Sequence, residues 1–566
     1  MRLVFRYIRP HALLALLAPF CVLLEVWAEL EQPALMADIV DRGILGGQPD
    51  ILRPTCVKMV IIMLLGLVGG ILSIYAAGRV AYSMGAAMRA DLYARIVRLP
   101  TAEVDRLGVA PLITRLGDDV SRIQQVVQAC MRLLFRAPLL FCGAVVMALN
   151  IDACVTAVVV SVMVASFFCV VSLMRRAYPL FLRLQSCRDA LASVLRETLV
   201  AIRVVKLNAN EALERRRFDQ ANEALMRQAV GVGRLMAGLL PLLSFAINIG
   251  IVLIVHLGAE RIGAGHVGVG GVMAAINYMA QVQVAFMMAS RVIVSVTKAR
   301  ASMRRIAEVL SLPADGADGG ARGGAFVNGD VVFSHVSFSY ADAGPLLSDV
   351  SFVVPRGKTV AILGDVGSGK STIVSLLARL YAPRRGSITI GGRDLSSLSS
   401  DELRSRVAVV LQTPTLFRGT IGQNIAMARP GIGADKVWEA AEAASVADFV
   451  RSLPGGLDAA VEQGGRNLSG GQRQRLCLAR ALAAEPDILV LDDATASVDA
   501  ETESRIWRRL LAARRTTLFV SQRMSLVAKA DSIVVLSGGR VVAVGTHGRL
   551  MSECPTYRDA YLARQW

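Results

Sequence analysis

Four stretches of this chain, residues 59–78, 153–174, 235–259 and 262–290, contain no Asp, Glu, Lys or Arg. About 20 consecutive apolar residues are what an α-helix needs to cross a bilayer, and a helix satisfies all of its backbone polar groups within one segment. The first three hundred residues are therefore restricted to a bundle of membrane helices. Two shorter runs belong with the four. Ala12–Leu24 is uncharged before it meets Glu25 and Glu29, and Ala137–Ile151 is uncharged after Arg132 and Arg136. Counting both predicts six spans, at about 12–33, 57–79, 131–151, 153–174, 235–258 and 267–290.

Composition and charge fit that count. With 54% hydrophobic against 19% charged residues, and a mean hydropathy of +0.50, the chain is too apolar for an ordinary soluble protein of its length. Disorder, a collagen-like repeat and a small disulfide scaffold are excluded by the same figures. The net charge of +17 is unevenly placed: segments 1–9, 79–130, 175–234 and 291–305 hold 27 Lys or Arg, against Arg42, Arg53, Lys58 and Arg261 on the other side. The positive-inside rule then predicts a multi-pass protein of the cytoplasmic (inner) cell membrane with both termini cytoplasmic. No base-reading module accompanies the charge, so no nucleic-acid partner is expected. Nine cysteines form no CxxC pair and no metal-ligand spacing. Arg2, Arg6 and Arg9 precede an apolar run as in a signal peptide, but with no convincing cleavage site the run reads as an uncleaved first helix.

The connections are as uneven as the charge. The outer turn Asn150-Ile151-Asp152 is short, whereas the inner connections 79–130 and 175–234 have 52 and 60 residues with helical periodicity. Such helices would project about 30 Å from the bilayer at 1.5 Å per residue. The Gly-rich stretch that starts at Pro313 reads as a flexible linker. This gives a membrane domain over 1–312, a linker over 313–325 and a soluble domain over 326–566.

The soluble domain carries phosphate-binding chemistry. Thr359–Leu363 is an apolar β-branched strand running into Gly364-Asp365-Val366-Gly367-Ser368-Gly369-Lys370-Ser371-Thr372, followed by a helical pattern. Strand, G-x-x-x-x-G-K-S and helix in that order make a P-loop. Its glycines let backbone N–H groups curl round phosphates at a helix N-terminus, Lys370 places a charge on the β/γ-phosphates, and Ser371 reaches Mg²⁺. A second apolar strand, Ile488–Leu491, ends in Asp492-Asp493, delivering Asp492 to the same metal as a Walker B strand does. Between the two stands Leu468-Ser469-Gly470-Gly471-Gln472.

With these motifs in this order, the chain resembles the ATP-binding-cassette (ABC) transporters nearly end to end, specifically half-transporters with six spans fused to one cassette. The resemblance implies an all-α exporter-type membrane domain with long cytoplasmic helical extensions, joined to an α/β P-loop cassette that uses ATP and Mg²⁺. It implies that Tyr340 stacks on adenine and that Gln412 reaches both Mg²⁺ and the attacking water. Ser469, Gly470, Gly471 and Gln472 match the signature that binds ATP held by the other cassette of a dimer, and Ala496–Asp499 resembles the D-loop. Coupling helices are implied near Thr101–Gly108 and Leu207–Leu213, facing the Q-loop and Val461–Gly465.

Two positions depart from the family pattern. Asp493 stands where hydrolysing cassettes usually carry Glu, and its carboxylate is one methylene shorter. Gln522 stands where the family places a switch His; it can hydrogen-bond a phosphate but cannot take up a proton as imidazole does. With the signature intact, the pair resembles the degenerate-site subunit of bacterial heterodimeric multidrug exporters. That resemblance implies a second, different half-transporter as partner and weak hydrolysis at this chain's own Walker motifs. The expected cargo is hydrophobic or amphipathic, drug-like or lipid-like, from Asn277, Tyr278, Met279, Gln281, Gln283, Phe286, Met287 and Met288 in the sixth span and Asn248 in the fifth. A siderophore or lipid importer on the same fold, a slowly hydrolysing homodimeric exporter, and a non-transporting protein with ATP as ligand are the alternatives.

Overall fold

The computed structural model describes residues 2–313, 326–340 and 344–563, so all of the expected linker except Pro313 lies outside the described residues. Two compact units form. One is made of the described residues within 1–94 and 113–311, the other of those within 95–112 and 312–566.

Among the described residues, six helices are long and apolar enough to cross a membrane. Most far exceed the bilayer: Leu52–Val97 has 46 residues and Ala153–Val200 has 48, or roughly 70 Å each at 1.5 Å per residue. Their apolar faces pack in clusters, of which two join three spans each. Val22, Val26 and Leu30 meet Leu140, Ala144, Tyr278 and Val282, joining the first, third and sixth spans. Val155, Val159 and Val162 meet Ile247, Ile254 and Met279, joining the fourth, fifth and sixth. Asp152 caps the fourth span by accepting from the backbone N–H groups of Cys154 (2.7 Å) and Val155 (3.2 Å), and also accepts from Arg261.

The acids and bases inside the spans find one another. Arg136 donates to Glu25 and, at 2.8 Å, to Glu29; Arg132 lies 3.5 Å from Glu25 and donates to Ser73 Oγ at 3.2 Å. Charges in a low-dielectric interior persist when paired in this way. Further along the helices, Arg115 and Asp119 bracket a π-helical turn, Arg115–Asp119. Asp119 is 1% exposed and accepts from Ser302 Oγ (2.8 Å) and from both ends of the Arg305 fork (2.7 and 2.5 Å), while Arg115 donates to Glu308 at 3.0 Å. Burial pushes the Asp119 carboxyl up, but its bonds from Arg305 and Ser302 and the nearby positive charge outweigh this and hold it below the usual carboxylate range.

The elbow between the second and third spans is a short helix, Thr101–Leu107, which starts after Pro100 and ends at Gly108 with φ +78°. In the second elbow the short helix is Ile202–Leu207, whereas the stretch expected to be helical, 207–213, contains a turn. Asn208 Nδ2 donates to Val204 O at 2.9 Å and Ala209 is left-handed (φ +49°), so the chain reverses there before Glu211–Ala237 begins.

In the cassette, strands β1 (Val331–Phe338), β2 (Leu347–Val354), β4 (Arg385–Ile390) and β5 (Arg393–Asp394) make an antiparallel sheet in the order β2-β1-β4-β5. The larger sheet has β3 (Thr359–Gly364) near its centre. With β6 (Val407–Val410), β9 (Ile488–Asp492), β10 (Thr516–Val520), β11 (Ser532–Ser537) and β12 (Arg540–Gly545) it runs β12-β11-β3-β10-β9-β6, parallel except for β12. The short β7 (Gly419–Thr420) pairs β8 (Ala460–Val461). Every residue of β9 and β10 is buried, as parallel strands covered on both faces must be.

Candidate functional site

The register of the large sheet brings the sequence motifs to one edge. Ile362 of β3 pairs Val520 of β10, Val520 pairs Asp492 of β9, and Leu491 pairs Val410 of β6. The carboxyl ends of four parallel strands therefore deliver Gly364, Gln522, Asp492 with Asp493, and Gln412 to the same side. The carboxyl edge of a parallel sheet is where such folds bind ligands.

The phosphate loop follows β3. Gly367 and Gly369 are left-handed (φ +82° and +96°), and a Cβ on Gly369 would meet Leu347 at 2.4 Å, so only glycine closes this turn. Gly369 caps the helix Lys370–Leu377. Lys370 Nζ donates to the carbonyls of Gly364 (2.9 Å) and Asp365 (2.6 Å), while Ser368 Oγ is buried without a hydrogen-bond partner. Asp365 and Val366 are exposed at the loop tip. Beside the loop, Tyr340 shares a 3.2 Å hydrogen bond with Thr372 and lies edge-on to Phe338 and Tyr381, with centroids at 4.9 and 5.1 Å. Tyr381 in turn donates to Asp105 of the first elbow; burial, then that bond and charge, push its phenol well up. Sequence reasoning passed over Tyr381, although it follows the P-loop helix closely and is aromatic.

Asp492 is 4% exposed. Burial raises its pKa, the Asp493 charge adds to this, and a hydrogen bond from Ser371 and the charge of Lys370 oppose it. Asp493 is also raised, first by burial, with the Arg523 charge opposing and that of Glu503 adding. Two destabilised carboxylates beside a hydroxyl form an all-oxygen donor set that a hard divalent cation relieves. Ser371 and Asp492 fit Mg²⁺ on that ground; the Gln412 side chain is exposed where β6 ends. Asp493 is left-handed (φ +49°), held by its N–H on Val520 O at 3.0 Å and its carbonyl on Ala496 N at 3.1 Å. Gln522 is exposed.

The signature is a helix start. Ser469 Oγ accepts from Gln472 N at 3.3 Å and Gln472 Oε1 accepts from Ser469 N at 2.8 Å, a capping box that opens Gly470–Ala483. A Cβ on Gly471 would meet Ser497 O at 2.7 Å, so the D-loop backbone lies directly on the signature. Arg480 from the same helix donates to the carbonyls of Asn424 and Thr415, both at 2.8 Å, and Asn424, 3% exposed, bonds both backbone groups of Phe417. These bonds tie the signature helix to the segment after Gln412.

Comparison with known proteins decides the family. A model of the ABC transporter transmembrane region matches residues 15–286, and one described as ABC transporter matches residues 347–496. The chain belongs to the ABC transporter family. It is 33% identical to the uncharacterized ABC transporter ATP-binding protein YfiB of Bacillus subtilis, over 98% of this chain and 97% of that protein. It is 32% identical to the ATP-dependent lipid A-core flippase of Methylococcus capsulatus, over 97% and 91% respectively. A bacterial Atm1-family ABC exporter solved with ATP bound superposes with a TM-score of 0.81 at 25% identity, covering 99% of this chain and 98% of that one. The fold is thus the exporter type, and as an ABC transporter this protein binds ATP and hydrolyses it to drive transport.

Much of the predicted cargo surface is instead helix packing. Tyr278 and Met279 are fully buried, with Tyr278 donating to Leu30 O at 3.1 Å, and Phe286 packs on Phe141 at 4.7 Å. Gln281 donates to Glu29 O (3.2 Å) and Gln283 to Ser244 Oγ (3.1 Å). Asn277 and Asn248 are exposed within the single chain and Met288 is half-buried; the side chain of Met287 lies outside the described residues.

Proposed function

We propose that this protein exports hydrophobic or amphipathic small molecules, lipid-like or drug-like, across the cytoplasmic membrane as one half of a heterodimeric ABC exporter. It contributes a degenerate ATP site and an intact signature to the pair. The observation that carries the asymmetric reading is the pairing of Asp493 with Gln522 at one sheet edge, beside a complete Ser469–Gln472 helix start. The short carboxylate falls about 1 Å shy of where a glutamate reaches, a misplacement on the order of a hundredfold in rate. The amide of Gln522 holds a phosphate oxygen without exchanging a proton. Likeness to a lipid A-core flippase supports the apolar cargo.

In this reading ATP lies along Gly364–Thr372 with adenine on Tyr340, and Gln412 answers to the phosphate end. Ser371, Asp492 and Gln412 would hold Mg²⁺, which when bound neutralises charge on the β- and γ-phosphates. Lys370 leaves its two loop carbonyls to meet the phosphates, and the buried Ser368 hydroxyl finds a partner there. The helix start at Ser469 addresses nucleotide held by the second cassette, whose own glutamate and histidine carry out most of the turnover. Both ATP molecules close the cassettes head to tail, and hydrolysis on the partner reopens them.

The test is the composition of the complex. The chain is affinity-tagged in its native host, purified in mild detergent and weighed by native mass spectrometry. A one-to-one complex with a different half-transporter is expected. Two identical chains would overturn the asymmetric reading and make Asp493 the working carboxylate.

A further inference from the structure

Arg523, next to Gln522, is used in a way that none of the sequence motifs announces. Its guanidinium donates from Nη1 to Glu503, and from Nη2 to the carbonyls of Ala496 (3.2 Å) and Val498 (3.1 Å). Glu503 is 5% exposed, on the buried stripe of helix Ala500–Ala512, and accepts from Thr495 Oγ1 at 2.6 Å. From the other side, Gln474 of the signature helix, 4% exposed, accepts from Ser497 N at 2.8 Å. The turn Ala496–Asp499 is therefore gripped from two directions: by the signature helix through Gln474 and Gly471, and by the loop after β10 through Arg523.

The geometry of the grip is specific. A planar fork serves a carboxylate with one nitrogen and two backbone carbonyls with the other, an arrangement available to guanidinium and not to ammonium. Both ends of the loop are also anchored. Asp493 N bonds Val520 O at 3.0 Å at the end of β10, and Arg523 N bonds Ser521 Oγ at 3.1 Å. A displacement of Gln522 therefore carries Arg523, and with it the carbonyls of Ala496 and Val498.

We infer that Arg523 is a positioning residue that fixes the Ala496–Asp499 turn in the shape it presents to a second cassette, passing the state of this chain's own phosphate edge to the partner's site. The inference rests on the head-to-tail reading of the cassette pair proposed above. A poorly hydrolysing site then still has a use, because ATP held there sets the D-loop that the competent site needs.

The test uses the full complex in lipid nanodiscs, with steady-state ATPase measured against ATP concentration for Arg523→Ala, Arg523→Lys and Gln474→Ala. Arg523→Ala should lower kcat by about tenfold or more while leaving KM for ATP within about twofold, the signature of misplacement rather than lost binding. Arg523→Lys should fail to restore kcat, although it keeps a charge beside Glu503. Gln474→Ala should lower kcat in the same sense. Should Arg523→Ala not fold because Glu503 is left unpaired, the double variant Arg523→Met with Glu503→Gln removes that charge and should show the same fall in kcat. An unchanged kcat, a raised KM with kcat preserved, or full rescue by lysine would each overturn the inference. If native mass spectrometry finds two identical chains, the heterodimer falls, yet the fall in kcat still reports on Arg523.

Discussion

On the asymmetric reading proposed above, giving positions 493 and 522 the residues usual in hydrolysing cassettes should raise turnover at this chain's own ATP site. The perturbation is Asp493→Glu with Gln522→His. Glutamate extends the carboxylate by one methylene, about 1 Å, which in a positioned reaction is on the order of a hundredfold in rate. Histidine adds a group able to exchange a proton, typically worth about a hundredfold or more when correctly placed. Gln522 is exposed, so its replacement should fit without repacking, whereas position 493 has a constraint. Its backbone is left-handed and pinned by hydrogen bonds to Val520 O and from Ala496 N. Asp tolerates that conformation better than Glu, a penalty of up to about 1 kcal/mol. The double variant should therefore be slightly less thermostable and yet hydrolyse faster, with turnover at this site up by roughly a hundredfold or more. ATPase of the purified complex gives the total rate, and vanadate trapping followed by photolabelling of each chain assigns it. A folded double variant with unchanged rate and no new trapping on this chain would refute the argument that carboxylate reach limits the site.

Lys370→Ala should weaken ATP binding at this chain by at least about tenfold, because alanine leaves the phosphates without the P-loop ammonium; nucleotide titration of the full complex checks it. Arg305→Ala leaves the Asp119 carboxylate with the Ser302 hydroxyl and the charge of Arg122, and should lower stability by about 2–4 kcal/mol, towards the lower end because Arg305 is 42% exposed. Asp119 has a folded pKa below its unfolded value, so its stabilisation is present above about pH 4 and lost as pH falls through the lowered folded value. Thermal unfolding against pH should show that acid loss in the native protein and a weaker one in Arg305→Ala. Asp492 has the opposite sign. Its raised carboxyl takes up a proton at higher pH than an ordinary aspartate, so the Mg²⁺ concentration needed for half-maximal ATPase should begin to rise before the pH has fallen to the ordinary aspartate range. A requirement that stays flat down to the ordinary aspartate range would contradict that shift.

The architecture was legible in the sequence because its signals are strong physical ones. Uncharged runs of bilayer length have few other uses. The P-loop was legible because a backbone that must turn left-handed at Gly367 and Gly369, with Leu347 crowding the second, leaves glycine no substitute. Which face of the sixth span packs inward was not legible. A helix apolar on nearly all sides has no moment to read, so Tyr278, Met279 and Phe286 looked available for cargo, although they fill the seam with the first, third and fifth spans. The second elbow was placed late for a local reason: Asn208 and the left-handed Ala209 end the helix at Leu207. Arg523 and Glu503 left a trace that motif reading overlooks. Glu503 shares the buried stripe of its helix with Thr502, Ile506, Trp507 and Leu510, and an acid in that company needs a partner.

The signature and the Walker B edge answer to different demands within this cassette. Ser469 and Gln472 cap their own helix, and Gly471 has no Cβ because Ser497 O lies where one would be. The signature is therefore required by this cassette's own fold, apart from the role proposed for it towards nucleotide on a partner. The reach of Asp493 and the proton chemistry absent from Gln522 answer to no such internal demand: one is a half-exposed side chain on a fixed turn, the other is exposed. Substitution at this edge therefore leaves the Ser469–Gln472 helix start intact, which is what the proposed asymmetric pair requires. The bonds of Arg523 to Glu503, Ala496 and Val498 hold its loop in a specific shape whatever side chain stands at position 522.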